Sequence, residues 1–372
     1  MGHGRIGMLT FHWADNYGAL LQAFGLKVWL SEHDWDASII DYRPARLRGR
    51  YWLVPYAPYD DPVRMFRFAS SGFLCNALTG REWLLQRRRM ERFRREFLDI
   101  GRGKRIPFRD LPGTGIDTLI VGSDQIWSPD ITFGLLPAYF GAFGNGRVCK
   151  VVAYAASSGG QIPERYEAQF GKLLDSVDVI SARESGTAEY IKHRFSREAE
   201  TVMDPVFLLD AGRWRSMARL PRERGYVLYH ETEPNGDMRE AACKLSEKTG
   251  LPVINLRYRK PMSEMPFQTV CSAGPLEFLG YVLGADYVVT NSFHALAFSL
   301  ILHRPFLTYN HSSKGARTAD LLARLGLEGE SGKPDPNERI DWDAVDRRLD
   351  RMRASSEAFL LDALSGDGKG RA

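Results

Sequence analysis

Four cysteines in 372 residues, Cys75, Cys149, Cys243 and Cys271, stand far apart, with no Cys-x-x-Cys spacing and no histidine beside them. Their scarcity excludes a disulfide framework and offers no metal motif, so reduced thiols and no metal are expected. Long apolar runs are missing too. None approaches the roughly 18 residues of a membrane-spanning helix, and residues 1–7 lead only into a brief apolar segment and then into His12, Asp15 and Asn16, without the pattern of a secretory leader. The expectation is a cytoplasmic protein, at most peripheral to the inner face of the membrane.

A strong excess of one charge is also absent. Fifty Lys and Arg against 46 Asp and Glu give a formal +4, too little to point to nucleic acid and enough for a small anionic substrate. There is no internal repeat and no low-complexity tract. The composition, 44% hydrophobic and 26% charged, is that of a globular protein, and the length exceeds one ordinary core, so two domains are expected.

What is present is an alternation of short apolar runs with helical patterns. Residues 6–11, 37–41, 117–121, 151–155 and 177–181 read as strands, and after a passage near Asp204-Pro205 a second set follows at 226–230, 252–256, 287–289 and 306–307. Strands separated by helices imply parallel sheets, hence an α/β fold with two lobes. Boundaries are expected at 1–206 and 207–340, with an aromatic, arginine-rich insertion at about 43–110, a terminal helix at 341–364 and a mobile tail at 365–372.

In parallel sheets ligands bind beyond the carboxyl ends of the strands, so the turns there hold the candidate residues. The stretch 285–307, ADYVVTNSFHALAFSLILHRPFL, reads as strand, tight turn, helix and strand; Asn291 and Ser292 supply capping side chains and Pro305 stops the helix. His294 then sits at a helix N-terminus, where free N–H groups favour an anion. A buried structural histidine is an equal reading. Asn16 and Gly18 follow the first strand, with glycine allowing close backbone approach, or a cap and a packing glycine. Ser123, Asp124 and Gln125 follow the strand at 117–121, and Asp124 serves either a ligand or its own turn. Ser157 lies in the small-residue loop after 151–155, and Arg183 follows 177–181. Lys314 and Arg317 make a basic loop before a helix. Between 81 and 105 a basic helix with Leu84, Leu85, Met90, Phe93 and Phe97 at helical spacing either docks its apolar side on its own domain or meets anionic lipid or a polyanionic glycan.

Five of these strings, NYGALLQAF at 16–24, VGSDQIW at 121–127, ISARESG at 180–186, DPVFLL at 204–209 and ADYVVTNSFHALAFSLILHRPF at 285–306, occur in an order that resembles the polysaccharide pyruvyl transferase family, over residues 4–327. The resemblance implies two Rossmann-like domains facing a cleft, similar to GT-B glycosyltransferases. It implies transfer of a pyruvyl group from phosphoenolpyruvate, a co-substrate with no further cofactor, to two hydroxyls of a sugar or lipid-linked sugar, giving a cyclic ketal. His294 is expected in catalysis with Asp124. Arg183, Ser292, Lys314 and Arg317 are expected at the donor, and Asn16, Gly18, Ser123, Gln125 and Ser157 at the acceptor or cleft. Where the family pattern resembles Arg-Leu-His, this chain has Ser292-Phe293-His294. The missing guanidinium removes a charge-assisted anion ligand worth roughly 1.5–3 kcal/mol, so Lys314 and Arg317 compensate or the donor differs. The rival readings are a nucleotide-sugar glycosyltransferase of GT-B type and a non-catalytic carbohydrate-binding relative.

Overall fold

The alternating pattern forms two parallel sheets in a computed structural model that describes residues 4–59, 61–101, 115–143, 150–259, 266–310, 315–328 and 340–365. The first sheet holds β1 (Ile6–Leu9), β2 (Ala37–Ile39), β3 (Thr118–Val121), β4 (Lys150–Ala156), β5 (Val179–Ala182) and β6 (Glu200–Thr201), in the order β2-β1-β3-β4-β5-β6. The second holds β7 (Val227–His230), β8 (Val253–Leu256), β9 (Gln268–Val270), β10 (Tyr287–Thr290) and β11 (Phe306–Thr308), in the order β11-β10-β7-β8-β9. Central strands such as β1 and β7 are buried along their whole length, which is why they read as unbroken apolar runs rather than alternations. The edge strands β6 and β9 escape such a reading because Glu200-Thr201 and Gln268-Thr269-Val270 are too short and polar to show a period.

The helices are α1 (Tyr17–Glu32), α2 (Pro62–Phe97), α3 (Pro129–Thr132), α4 (Glu164–Leu174), α5 (Ser185–Phe195), α6 (Ala211–Met217), α7 (Gly236–Thr249), α8 (Pro275–Gly284), α9 (Phe293–Ile301), α10 (Ala316–Leu325) and α11 (Trp342–Ser365). Leu20 of α1, Leu279 of α8, Phe298 of α9 and Leu360 of α11 join Met8 and Tyr154 of the first sheet and Leu228 and Val288 of the second in one apolar cluster. The lobes therefore share a core. Tyr17 reinforces it by stacking on Tyr258 (4.5 Å) and Phe278 (4.9 Å) of the second lobe. The helix α11 begins beside that lobe, with Trp342 stacked on His303, and ends on the first, with Phe359 against Tyr154. Residues 366–372, expected as a tail, lie outside the described residues.

The basic helix expected at 81–105 is the second half of a longer one. Asp61 caps α2 by accepting from Val63 N (2.9 Å), and Pro62 occupies its first position, where a missing N–H costs nothing. Gly80 interrupts the helical geometry (φ 7°, ψ −74°). Beyond it Met90 and Phe93 are buried, and Phe93 and Phe97 both meet Phe24 of α1. Arg94, 1% exposed, donates to the carbonyls of His12, Trp13 and Ala14 and to the carboxylate of Asp15. From Met90 onward the segment thus docks its apolar side on its own domain, whereas Leu84 stays exposed, and one of its arginines shapes the β1–α1 turn.

Candidate active site

Parallel strands carry all their carboxyl ends to one edge, and the two edges face each other across a cleft of about 480 Å³. Its walls come from the turns after β1 (Asp15, Asn16, Gly18), β3 (Asp124, Gln125), β7 (Glu231, Thr232), β8 (Arg257, Tyr258, Arg259) and β10 (Ser292, Phe293, His294), with Arg50, Tyr51, Phe68, Trp83 and Arg317 completing them. The volume suits a ligand the size of a small sugar or metabolite.

The second lobe's wall is built by the β10–α9 turn. Thr290 Oγ1 donates to His230 O (2.6 Å), and Asn291 ties the turn to its neighbour by accepting from Thr232 N (2.8 Å) and donating to Glu233 O (2.7 Å). Ser292 is the N-cap of α9, accepting from Ala295 N at 3.5 Å. His294 is the second residue of that helix and is buried but for its cleft edge. A Cβ at position 18 would stand 2.0 Å from His294 Nδ1, so Gly18 leaves room for the imidazole. Its missing side chain serves the histidine directly.

Beneath His294 lies Asp204, at the first turn after β6. Its Oδ2 accepts from Arg183 Nη1 (2.8 Å), sits 3.1 Å from Ser123 Oγ and is 3.6 Å from His294 Nε2, beyond hydrogen-bonding reach yet within reach of charge. Arg183 in turn donates from Nε to Glu184 (3.1 Å), which accepts from Ser157 Oγ (2.8 Å). Burial alone would push the Asp204 carboxyl up; the imidazole of His294 and the guanidinium of Arg183 outweigh it and hold the group well below the usual carboxylate range. Burial would likewise lower Arg183, but Glu184, Asp204 and Asp124 keep it above its ordinary value. The strings at 121–127, 180–186, 204–209 and 285–306 therefore meet at one buried carboxylate, and the string at 16–24 reaches it through Gly18 and His294.

Arg183 and Arg317 both lie over the ring of Phe293, at 4.5 Å and 5.8 Å. Burial, followed by the charge of Arg183, pushes Arg317 down to about 10, so it remains a cation at neutral pH. Among the described residues no partner stands within hydrogen-bonding distance of the buried Arg183 Nη2, His294 Nε2 or Gln125 Nε2. Asp124 is half-buried in the left-handed region (φ 63°), and its Oδ1 accepts from Gln125 N (2.8 Å). That conformation is one an aspartate tolerates better than most residues.

Of the residues singled out from sequence, Asn16, Gly18, Asp124, Gln125, Ser292, His294 and Arg317 line the cleft. Asn16 does so as the cap of α1, accepting from Ala19 N (3.0 Å). Ser123 and Ser157, expected at the acceptor or cleft, and Arg183, expected at the donor, lie under the cleft, because their side chains turn into the buried network around Asp204. Lys314 lies outside the described residues. Sequence reading passed over Asp204 as a site residue although it opens DPVFLL, and missed Phe293 and the Arg257-Tyr258-Arg259 run. The last follows β8 directly, so the strand-end rule that found His294 would have found it too.

In sequence, the family model described as Polysaccharide pyruvyl transferase matches residues 16–313. No curated protein matches the chain closely enough to count as a relative. Among solved structures, the UDP-GlcNAc 2-epimerase of Neisseria meningitidis is similar at 10% identity and TM-score 0.48, covering 98% of this chain and 95% of its own. A putative UDP-N-acetylglucosamine 2-epimerase of Listeria monocytogenes gives 8% and 0.49 over 99% and 92%, and the glycosyltransferase SnogD of Streptomyces nogalater gives 13% and 0.41 over 97% and 99%. Likeness at this level carries nothing about ligands.

Proposed function

The chain belongs to the polysaccharide pyruvyl transferase family, and we propose that it transfers the pyruvyl group of phosphoenolpyruvate to two hydroxyls of a sugar in a glycan or glycan precursor, releasing phosphate and closing a cyclic ketal. The observation that carries this reading is the line Arg183–Asp204–His294, in which a buried ion pair stands behind an imidazole that lines the cleft.

Phosphoenolpyruvate brings a carboxylate and a phosphate. Arg317 and the first N–H groups of α9 supply positive charge on one side of the cleft, and Arg317 takes over the part of the arginine that Ser292 replaces. A dianion there also relieves the repulsion between Arg317 and Arg183 that burial makes costly. His294, oriented from behind by Asp204, donates a proton to the methylene carbon. A sugar hydroxyl oxygen bonds to C2 as its proton passes to Asp124, leaving a methyl-bearing tetrahedral centre. The C–O bond to phosphate then breaks, the second hydroxyl oxygen bonds to the same carbon, and its proton leaves with the phosphate. Tyr51, Trp83, Tyr258 and Glu231, which also line the cleft, offer the acceptor aromatic faces for the sugar's C–H surface and a carboxylate for its hydroxyls.

Phosphate release from phosphoenolpyruvate over a panel of sugar acceptors tests the reading. His294→Ala is expected to lower kcat by about 10²–10⁴-fold, the usual loss of a general acid, while thermal stabilisation by phosphoenolpyruvate persists. Equal turnover by the variant removes His294 from the chemistry. Stabilisation by UDP or GDP sugars, with none by phosphoenolpyruvate, replaces the proposal with nucleotide-sugar transfer.

A further inference from the structure

The first half of α2, before Gly80, is amphipathic the wrong way round for a helix of a soluble domain. Successive helical residues are about 100° apart, which places Val63, Phe66, Arg67, Phe73, Leu74 and Leu78 within an arc of roughly 140°. That arc faces solvent: Phe66 is 71% exposed, Leu78 67% and Val63 58%. The opposite side, Gly72, Asn76 and Thr79, is the packed one. Gly72 lies against Pro55, where a Cβ would come within 2.2 Å, and Asn76 Nδ2 donates to the carbonyls of Trp52 and Leu53. Those bonds strap the preceding loop to the helix while Trp52, Leu53, Val54 and Tyr56 stay exposed beside it. Ten of the twelve large apolar side chains exposed among the described residues fall between 52 and 84, so this is one concentrated surface rather than ordinary scatter.

We propose that this surface docks on an anionic lipid bilayer, with the helix from 62 to 79 lying in the interface. Three features favour lipid over a protein partner. Residues 62–79 carry Arg64 and Arg67 and no acidic residue, and Arg81, Arg88 and Arg95 continue the exposed positive charge along α2, which complements anionic headgroups. Trp52 and Tyr56 at the margin are side chains that settle at the headgroup level. The apolar face is broad, with Arg67 within it and Arg64 at its edge, the composition of an interfacial helix. The docked half lies upstream of the segment whose apolar side is already spent on its own domain. Phe68, on the far side of the same helix, and Trp83 line the cleft, so docking holds the cleft within about a helix diameter of the bilayer surface, near an acceptor carried on a membrane lipid. The docking itself does not depend on the transfer chemistry.

Co-sedimentation of the full chain with vesicles, without donor or acceptor, tests it. With phosphatidylglycerol and phosphatidylcholine in equal parts, the protein is expected to pellet at low salt and to release as salt rises. The triple variant Phe66→Ser/Phe73→Ser/Leu78→Ser is expected to lose at least about tenfold in partitioning while keeping the wild-type thermal transition, since all three side chains are exposed. Arg64→Gln/Arg67→Gln is expected to weaken binding to the anionic vesicles several-fold and leave binding to pure phosphatidylcholine unchanged. Quenching by brominated lipid provides a second readout, and Trp52→Phe is expected to remove most of it. Wild-type protein that stays in the supernatant overturns the proposal, as does a triple variant that pellets like wild type. So does a dimer in light scattering that the triple variant dissolves in the absence of vesicle binding, which would assign the surface to a second copy of the chain. None of these failures touches pyruvyl transfer, which phosphate release measures separately.

Discussion

Arg183 and Arg317 reach the ring of Phe293 from different lobes, and their surroundings differ. Arg183 comes from the turn after β5, is almost fully buried, and gives Nη1 to Asp204 and Nε to Glu184. Arg317 comes from the first turn of α10, lines the cleft, and feels burial and the charge of Arg183 most strongly. The first cation is matched within the fold, so its part is to hold Asp204 and through it the imidazole. The second lies on the wall of the cleft, over the ring of Phe293. Both were expected at the donor; Arg183 lies under the cleft, bound to Asp204 and Glu184, and Arg317 lies on its wall.

The largest effect that separates the two is expected from breaking the scaffold. Asp204 is fully buried, and Asp204→Asn leaves Arg183 with one carboxylate partner, which should cost about 3–5 kcal/mol of unfolding free energy. Urea denaturation reads this directly, and a loss below about 1 kcal/mol would mean that the pair contributes little beyond its hydrogen bonds. Arg317→Ala should behave in the opposite way, with a small change in stability and a KM for phosphoenolpyruvate raised roughly 10- to 100-fold, the equivalent of one charge-assisted bond of about 1.5–3 kcal/mol. If Arg317→Ala destabilised the fold and left KM unchanged, the contrast drawn between the two would be reversed.

Acid sharpens the same contrast at smaller amplitude. The folded Asp204 carboxyl is held below its unfolded value near 3.8, so its contribution is fully present above that value and is lost as pH falls through the lower folded one. Stability followed from neutral pH downward should therefore fall on an acid limb. The difference between wild type and Asp204→Asn isolates this group from other depressed carboxylates such as Asp41, and should shrink below about pH 4. A difference that stays constant across that range would show that the carboxyl is not depressed.

The turn around His294 was legible because every signal in it is local. A β-branched run, a capping pair and a proline stop lie within about twenty residues, and each acts on its neighbours. The Asp204 network was not, because the carboxylate acts across the sheet: only the order β3-β4-β5-β6 brings Ser123, Arg183 and Asp204 together. The helix start at Asp61-Pro62 was written plainly as a cap followed by proline, yet the segment gave no core-facing pattern, since its apolar face looks outward. Gly18 was read either as a backbone feature for a ligand or as a packing glycine, and packing is what it does, although its partner was not foreseen. Its missing side chain makes space for another residue of the site, a relation between lobes that no local spacing contains.

The smallest expected effect concerns Ser292, the position where the chain departs from the family pattern. Its hydroxyl caps α9, but at 3.5 Å from Ala295 N the bond is at the long limit, so Ser292→Ala should cost about 0.5 kcal/mol, the low end for a cap. If the serine only starts the helix, KM for phosphoenolpyruvate is unchanged and Ser292→Thr, which keeps the hydroxyl, is indistinguishable from wild type in both measurements. If the serine also touches the donor, KM rises in Ser292→Ala and recovers in Ser292→Thr while stability follows the cap alone. The second outcome would move part of the anion site from Arg317 back to the β10–α9 turn, and with it the side of the cleft from which the donor phosphate departs.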